Sequence, residues 1–131
     1  MAVLPKISAA EMAVMRVLWA HDPMTANEVV DALLEQTGWN HRTIRTLLGR
    51  LAKKQAVGHQ EQYRPYRYLP LVSREEVLRA ERACFVKRVY SGAIMPMLAE
   101  FIEDEQLSEN DVQKLRTMLA RREGDRDESN K

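Results

Sequence analysis

The 131-residue sequence has little of what disulfide-bonded and membrane-bound proteins require. Its single cysteine, Cys84, excludes an internal disulfide framework and a cysteine-rich metal cluster. No apolar run approaches the roughly 20 residues of a membrane span. The first residues, MAVLPKIS, lack the basic and apolar regions of a secretory signal. These absences predict a cytoplasmic protein that does not insert into a membrane.

Motifs typical of enzymes are missing as well. The sequence contains no glycine-rich phosphate loop, no nucleophile elbow and no HExxH zinc motif. Its histidines, His21, His41 and His59, lie in separate segments at no spacing typical of a zinc site. We therefore expect neither catalytic activity nor a bound metal or other cofactor.

Charge is distributed unevenly along a chain whose net charge is only +1. Residues 1–72 carry nine Lys or Arg and six Asp or Glu, whereas residues 73–131 carry eleven and thirteen. Residues 40–68 hold seven basic residues and a single acidic one, Glu61. Because a local field governs polyanion binding more than the whole-chain sum does, this basic segment favours contact with nucleic acid.

The first half of the chain shows the pattern of three short helices. Capping boxes that begin at Ser8 and Thr25 predict helices over about 8–20 and 25–36. A third helix is predicted over about 40–54, where apolar residues recur at i, i+3, i+4 and i+7. Those residues are Ile44, Leu47, Leu48 and Leu51. We expect them to form a single buried stripe.

Two β-strands are predicted after the third helix, at about 56–60 and 66–70, joined by a loop over 61–65. Pro65 and Pro70 fit a two-stranded ribbon with exposed edges rather than a central strand. Helices followed by a basic hairpin form the winged-helix arrangement. The predicted fold class is therefore mainly α with a small β-hairpin, with a winged helix-turn-helix domain over residues 1–72.

A helix that enters the DNA major groove needs one apolar face for anchoring and an opposite face rich in Arg, Thr, Asn or Gln. The third predicted helix has both faces. Its candidate DNA contacts are Arg42, Thr43, Arg45, Thr46, Arg50, Lys53 and Lys54, and those of the hairpin are Gln62, Tyr63, Arg64 and Arg67. Either bases or phosphates fit the first four, whereas phosphates fit Arg50, Lys53 and Lys54 better. The alternatives are a merely solvated face and a module that docks an acidic protein.

Residues 73–122 are predicted to form three more helices, at about 74–90, 94–104 and 109–122. Such a small unit cannot enclose many apolar side chains, yet its middle helix is apolar on more than one face. A second copy would cover both faces with two-fold symmetry, which predicts a homodimer. The expected interface residues are Phe85, Val89, Ile94, Met97, Leu98, Phe101, Ile102, Leu115 and Leu119. The alternative is packing of this segment onto the winged domain of the same chain.

Two expectations concern residues outside these surfaces. The closing segment, 123–131, is charged and lacks apolar side chains, which predicts a disordered tail. Cys84 lies on an apolar helix, so we expect a buried hydrophobic residue rather than a redox or metal site.

Stretches spread over about residues 7–120 together resemble the penicillinase-repressor family, which includes the BlaI, MecI and CopY proteins. They are ISAAEMAVMRVLW, TANEVVDAL, GWNHRTIRTLLGRLAKK, YRPYRYLPLVSREE and FIEDEQLSENDVQKLRTML. The most specific part is the W-N-x-R-T-I-R-T-L-L-x-R-L core with the Y-R-Y-x-P strand after it.

The resemblance implies a homodimeric winged-helix repressor that binds a palindromic operator in double-stranded DNA, with the C-terminal helices as the dimer interface. In the β-lactam branch the resemblance implies a membrane sensor-protease that triggers cleavage of the repressor at an Asn-Phe bond in its dimer region. The matching pair here is Glu100 and Phe101, so the sequence departs from that pattern at residue 100. The copper branch carries paired CxC motifs, which a lone Cys84 cannot supply. The expected signal is therefore of the β-lactam type, with a copper-type repressor as the alternative.

Overall fold

The structure is a computed structural model that describes residues 4–104 and 106–129. In chain order its elements are α1 (Ala9–His21), β1 (Met24–Thr25), α2 (Ala26–Thr37), α3 (His41–Lys53), β2 (Val57–Gln60), β3 (Arg67–Pro70), α4 (Arg74–Tyr90), α5 (Ile94–Asp104) and α6 (Glu109–Ser129). The predicted fold class, mainly α with a small β-hairpin in a winged helix-turn-helix arrangement, is confirmed. The chain divides into two compact units, Met1–Arg82 and Ala83–Lys131.

The helices of the first unit begin at side-chain caps. Ser8 Oγ accepts a hydrogen bond from the Glu11 backbone at 3.1 Å, and Glu11 Oε1 accepts one from the Ser8 backbone at 2.8 Å. Thr25 and Glu28 repeat this reciprocal pair at the start of α2. These bonds satisfy amide groups that the first helical turn leaves without partners, which fixes where each helix starts.

The core of the first unit lies between α1, α2, α3 and the sheet. Its most deeply buried members, none more than 1% exposed, include Met15, Leu18, Val29, Leu33, Ile44 and Leu51. The predicted stripe on α3 is confirmed, because Leu47 and Leu48 also expose no more than 5% of their surface. Packing of this stripe determines the rotation of α3 about its axis, so the opposite face of the helix must lie in solvent.

The sheet differs from the predicted two-stranded ribbon because it contains a third strand. The strand order is β1-β3-β2, and both pairings are antiparallel. In this register Thr25 lies opposite Arg67, and His59 lies opposite Tyr68. β3 is therefore the central strand, although proline residues had suggested exposed edges. A two-residue strand is too short to show the alternation from which strands are predicted.

The first turns of α4 belong to the first unit. Val77 is 4% exposed and packs in the core, and Trp19 Nε1 donates a hydrogen bond to the Val72 carbonyl at 2.9 Å. The two units consequently divide after Arg82, within α4, rather than after residue 72.

The second unit consists of the end of α4 with α5 and α6. The Tyr90 hydroxyl donates a hydrogen bond to Glu100 Oε2 at 2.6 Å, and the rings of Phe85 and Tyr90 meet edge to face at 6.0 Å. Ser108 caps the start of α6 by accepting from the Asp111 backbone at 3.1 Å. No residue of α5 is buried in the single chain. Over the described ranges, no helix combines the length and apolarity needed to cross a bilayer.

Two expectations for the C-terminal half differ from the structure. Helix α6 continues to Ser129, across most of the segment expected to be disordered, whereas residues 130 and 131 lie outside the described residues. The lack of apolar side chains removes packing, but a helix that has already begun can continue because each added residue forms another backbone hydrogen bond. Cys84 is exposed rather than buried, because α4 has left the core of the first unit at that point.

Candidate nucleic-acid interface

The solvent face of α3 is cationic along its whole length. The helix contains no acidic residue between His41 and Lys53. Directly opposite the buried stripe, the exposed residues Arg42, Thr46, Gly49 and Lys53 follow one another at i, i+4, i+7 and i+11. Arg45 lies on one flank of this row, and Thr43 and Arg50 lie on the other. All the predicted helix contacts except Lys54 thus lie on the exposed surface of α3 itself.

Two polar side chains at the start of α3 form hydrogen bonds with the backbone of the helix. Asn40 Oδ1 accepts a hydrogen bond from the Thr43 backbone at 2.8 Å. The Thr46 hydroxyl donates to the Arg42 carbonyl at 2.9 Å, one turn earlier. Since its proton is used within the helix, Thr46 presents a methyl group and acceptor lone pairs to the outside. A methyl group of this kind can contact the methyl group of thymine.

Arg45 is oriented by a residue that sequence reasoning missed. Its Nη2 donates a hydrogen bond to Asn27 Oδ1, on the first turn of α2. The pair borders an open cleft of about 270 Å³, lined also by Ala26, Pro65, Tyr66 and Tyr68. The cleft therefore separates the N-terminus of α2 from the loop between β2 and β3. Asn27 carried no sequence signal, because Asn is common near helix starts for local reasons.

Two arginines, one in the loop between β2 and β3 (residues 61–66) and one at the start of β3, lie against aromatic rings. The Arg67 guanidinium lies 4.1 Å from the centre of the Tyr63 ring, and that of Arg64 lies 4.8 Å from the centre of Tyr66. Tyr66 in turn stacks on His59 at 5.0 Å. Such contacts attract a cation to a ring face without neutralising its charge. The predicted loop contacts Gln62, Tyr63, Arg64 and Arg67 are all exposed.

Lys54 does not join this surface, although it was predicted as a phosphate contact. Its Nζ lies 2.6 Å from Glu11 Oε1 and donates to the Lys6 carbonyl at 2.9 Å. Glu11 is only 2% exposed. Burial acts to raise the pKa of Glu11, but hydrogen bonds from Lys54 and Ser8, aided by the charge of Lys54, outweigh it and lower the pKa. Lys54 thus ties the end of α3 to the start of α1.

The second unit carries a separate, apolar surface. The predicted interface residues Val89, Ile94, Leu98, Phe101, Ile102, Leu115 and Leu119 expose from 37% to 65% of their surface, and Phe85 and Met97 are half-buried. Between α5 and α6, apolar residues that include Leu98, Ile102 and Met118 line a groove of about 520 Å³. An apolar surface of this extent on a small unit indicates a protein-interaction site.

Glu100 and Phe101, the pair that matches the family's cleavage bond, lie within α5. Glu100 accepts the hydrogen bond from Tyr90, and this bond is the largest cause of a raised pKa for Tyr90. Burial and the charges of Glu100 and Asp104 raise it further. Phe101 remains 44% exposed. The bond between Glu100 and Phe101 is therefore part of a regular helix whose side chains contact α4.

Together, the capped helices, the three-stranded sheet and the exposed face of α3 define a winged helix-turn-helix protein. The sequence model of the penicillinase repressor family matches residues 7–121 of this chain. The chain belongs to the penicillinase repressor family, a family of transcriptional repressors rather than enzymes.

Known proteins of this family are similar to the chain over most of its length. The penicillinase repressor of Bacillus licheniformis is 34% identical over 116 residues, which cover 88% of this chain and 91% of that protein. The methicillin resistance regulatory protein MecI of Staphylococcus aureus is 31% identical over 114 residues, covering 87% and 93%. A solution structure of monomeric Bacillus licheniformis BlaI in complex with the blaP half-operator has the same fold, with a TM-score of 0.52. Its sequence is 38% identical to this chain, and the match covers 58% of this chain and 93% of BlaI in that structure.

The pairing of Lys54 with Glu11 generates a prediction for stability. Replacing Lys54 by Met leaves a buried carboxylate without its cation, so the free energy of unfolding at pH 7 should fall by about 1–3 kcal/mol. Urea denaturation measures this change. The matched control is Lys53→Met, which removes the neighbouring exposed charge and should change the free energy by less than about 0.5 kcal/mol.

The pair of Lys54 and Glu11 also determines how the free energy of unfolding should change with pH. Because folding lowers the pKa of Glu11, its stabilising contribution is present above the ordinary glutamate pKa of about 4.3 and is lost as the pH falls through the lower folded-state value. The difference between wild type and Lys54→Met should therefore shrink in acid. A difference that stays constant from pH 7 to pH 3 would show that the pair does not stabilise the fold.

Proposed function

We propose that the protein represses transcription by binding operator DNA in the cytoplasm as a homodimer. The observation that carries this proposal is the two-sided character of α3, with Ile44 and Leu51 fully buried and Arg42 and Lys53 exposed on a face without acidic residues. Membership of the repressor family and the complex of BlaI with the blaP half-operator support it. Phosphate backbones attract a positive helix face that has no acidic residue of its own helix to neutralise it.

We assign base contacts to the start of α3 and phosphate contacts to its end and to the loop. In a helix-turn-helix motif, which is formed here by α2 and α3, the N-terminal residues of the second helix of the motif reach the base edges. The base-contacting group is therefore Arg42, Thr43, Arg45 and Thr46, in which each arginine has the donors for O6 and N7 of guanine. The phosphate-contacting group is Arg50, Lys53, Gln62, Tyr63, Arg64 and Arg67. Lys54 is left out because its ammonium group is paired with Glu11.

The second unit supplies the dimer that a palindromic operator requires. Two copies would bring two α3 helices into major grooves about one helical turn apart. Because the two half-sites are linked, the dimer binds far more tightly than one winged domain does. The interface is proposed to bury the exposed apolar residues of the second unit, with Phe101 near its centre.

We further propose that the inducing signal is of the β-lactam type and reaches the repressor through a membrane sensor-protease. The names of the two relatives, which concern penicillinase and methicillin resistance, support this choice. A cut between Glu100 and Phe101 would separate Ile102 and α6 from the rest of the chain and so remove part of the apolar surface. Since that bond lies in a helix, α5 must first open locally to admit a protease.

Base and phosphate contacts should respond differently to alanine substitution. Arg64→Ala should weaken binding to every duplex alike and reduce the salt slope by about 1, because one phosphate contact is lost. Arg42→Ala should cost about 1–3 kcal/mol and also blur the preference at one base position. Fluorescence anisotropy with a duplex from the repressor's own upstream region and with a scrambled duplex, at several salt concentrations, separates the two effects. Arg79→Ala, on α4, is the control.

Equal responses of Arg42→Ala and Arg64→Ala would contradict the assignment of base contacts to α3. An acidic polypeptide is then tested as a competitor in place of unlabelled upstream duplex. Equal displacement of the labelled duplex by the two competitors would instead favour a protein-interaction module.

A charge introduced within the apolar contact of α5 should weaken the dimer far more than a charge introduced beside the acidic residues of that helix. Phe101→Glu places a carboxylate in the apolar contact, where burial without a partner is costly, so the dimer Kd should rise at least about tenfold. Ala99→Glu introduces the same side chain on the opposite side of the helix, near Glu103, and should leave the dimer intact. Sedimentation equilibrium measures both. Dimerisation of Phe101→Glu at the wild-type concentration would exclude this face as the interface.

A further inference from the structure

We infer that Asn27 positions Arg45 for contact with the operator and thereby helps to set sequence preference without itself touching a base. This inference rests on the proposed function and concerns a residue outside both α3 and the loop. Asn27 is the second residue of α2, and the reciprocal bonds of Thr25 and Glu28 fix the helical turn that carries it. Its side-chain oxygen therefore has a defined place beside α3.

The bond between Arg45 and Asn27 suits preorganisation of a DNA contact. Arginine loses many rotamers when it is immobilised on binding, and an acceptor that already holds it in the free protein reduces that entropic cost. One of the five guanidinium N–H donors is used by Asn27 Oδ1. The other donors remain for a bidentate contact with guanine.

The neutral charge of the acceptor also supports a positioning role for Asn27. Asn27 offers a neutral amide oxygen, which orients the guanidinium while leaving its full positive charge for the DNA. A carboxylate in the same place would orient Arg45 equally well but would cancel the charge that attracts phosphates. The bond is not required to hold α2 against α3, because the buried residues Val29, Leu33 and Leu47 already join these helices in the core.

The first turn of α2 also lies against the other cationic part of the interface. Thr25 pairs with Arg67 in the register of β1 and β3. The pKa of Glu28 is lowered chiefly by its bonds with Thr25, and the nearby charge of Arg67 adds to the effect. Residues 25–28 thus contact α3 through Asn27 and pair with β3 through Thr25.

The test measures sequence preference separately from stability. Duplexes selected from a random-sequence pool by the wild type are compared with random duplexes by fluorescence anisotropy. Asn27→Ala should lower the ratio of the two affinities by about 2- to 10-fold, as expected for one lost orienting hydrogen bond. Its thermal unfolding should stay at the wild-type midpoint. Gln36→Ala, which removes an exposed amide at the other end of α2, should change neither quantity.

A double-mutant cycle distinguishes positioning from independent contact. If Asn27 acts through Arg45, adding Asn27→Ala to Arg45→Ala should produce no further loss of preference. Asn27→Asp keeps an acceptor at the same atom and should retain the preference, while its negative charge weakens binding to all sequences alike. Additive losses in the double variant, or an unchanged preference in Asn27→Ala or Arg45→Ala, would overturn the inference.

Failure of this inference is distinguishable from failure of the proposed function. A wild-type protein that enriches no sequence from the pool would contradict the repressor proposal itself. A wild type that enriches a sequence, together with an Asn27→Ala variant that enriches the same one equally, would overturn only the role of Asn27.

Discussion

Burial of the apolar stripe on α3 is the interaction that positions the DNA-binding face of the protein. Full burial of each such side chain contributes roughly 1.5–3 kcal/mol relative to exposure. Turning the helix by one residue position would expose Leu47 or Leu48 and bury a guanidinium group, which costs several kcal/mol when the charge has no partner. The hydrophobic core thus determines which face α3 presents to solvent. The cationic residues on that face need make no contribution to stability, which leaves them free to bind.

The two units solve the same packing problem in different ways. The first encloses a complete core, from Ile7 to Val77, and needs no partner to hide its apolar side chains. The second leaves residues such as Ile94 and Leu119 more than half exposed and has no buried residue on α5. A second copy is the partner whose surface matches by symmetry. Association of the second units would then link two DNA-binding units that fold independently of one another.

Local patterns were predictable from the sequence, whereas contacts between distant residues were not. Capping boxes and the 3.6-residue period located α1, α2 and α3 to within one or two residues, and the bounds of α4 and α5 agree with the prediction. The pair formed by Lys54 and Glu11 joins residues 43 positions apart, and that of Arg45 and Asn27 joins residues 18 apart. Neither pair produces a periodic sequence pattern, so the pairing of Lys54 with Glu11 and that of Arg45 with Asn27 were not predicted. Strand β1 was not predicted because two residues show no alternation. The end of α6 was not predicted because a helix that has already begun can continue into a charged segment without packing.

Protection of guanine N7 from methylation tests whether α3 lies in the major groove, because this atom is exposed in that groove. A repressor with α3 in that groove should protect guanines in two patches about one helical turn apart on its selected duplex. Arg42→Ala should abolish protection of one guanine in each patch. Unprotected guanine N7 on a saturated duplex, or protection limited to adenine N3 in the minor groove, would show that α3 does not bind in the major groove.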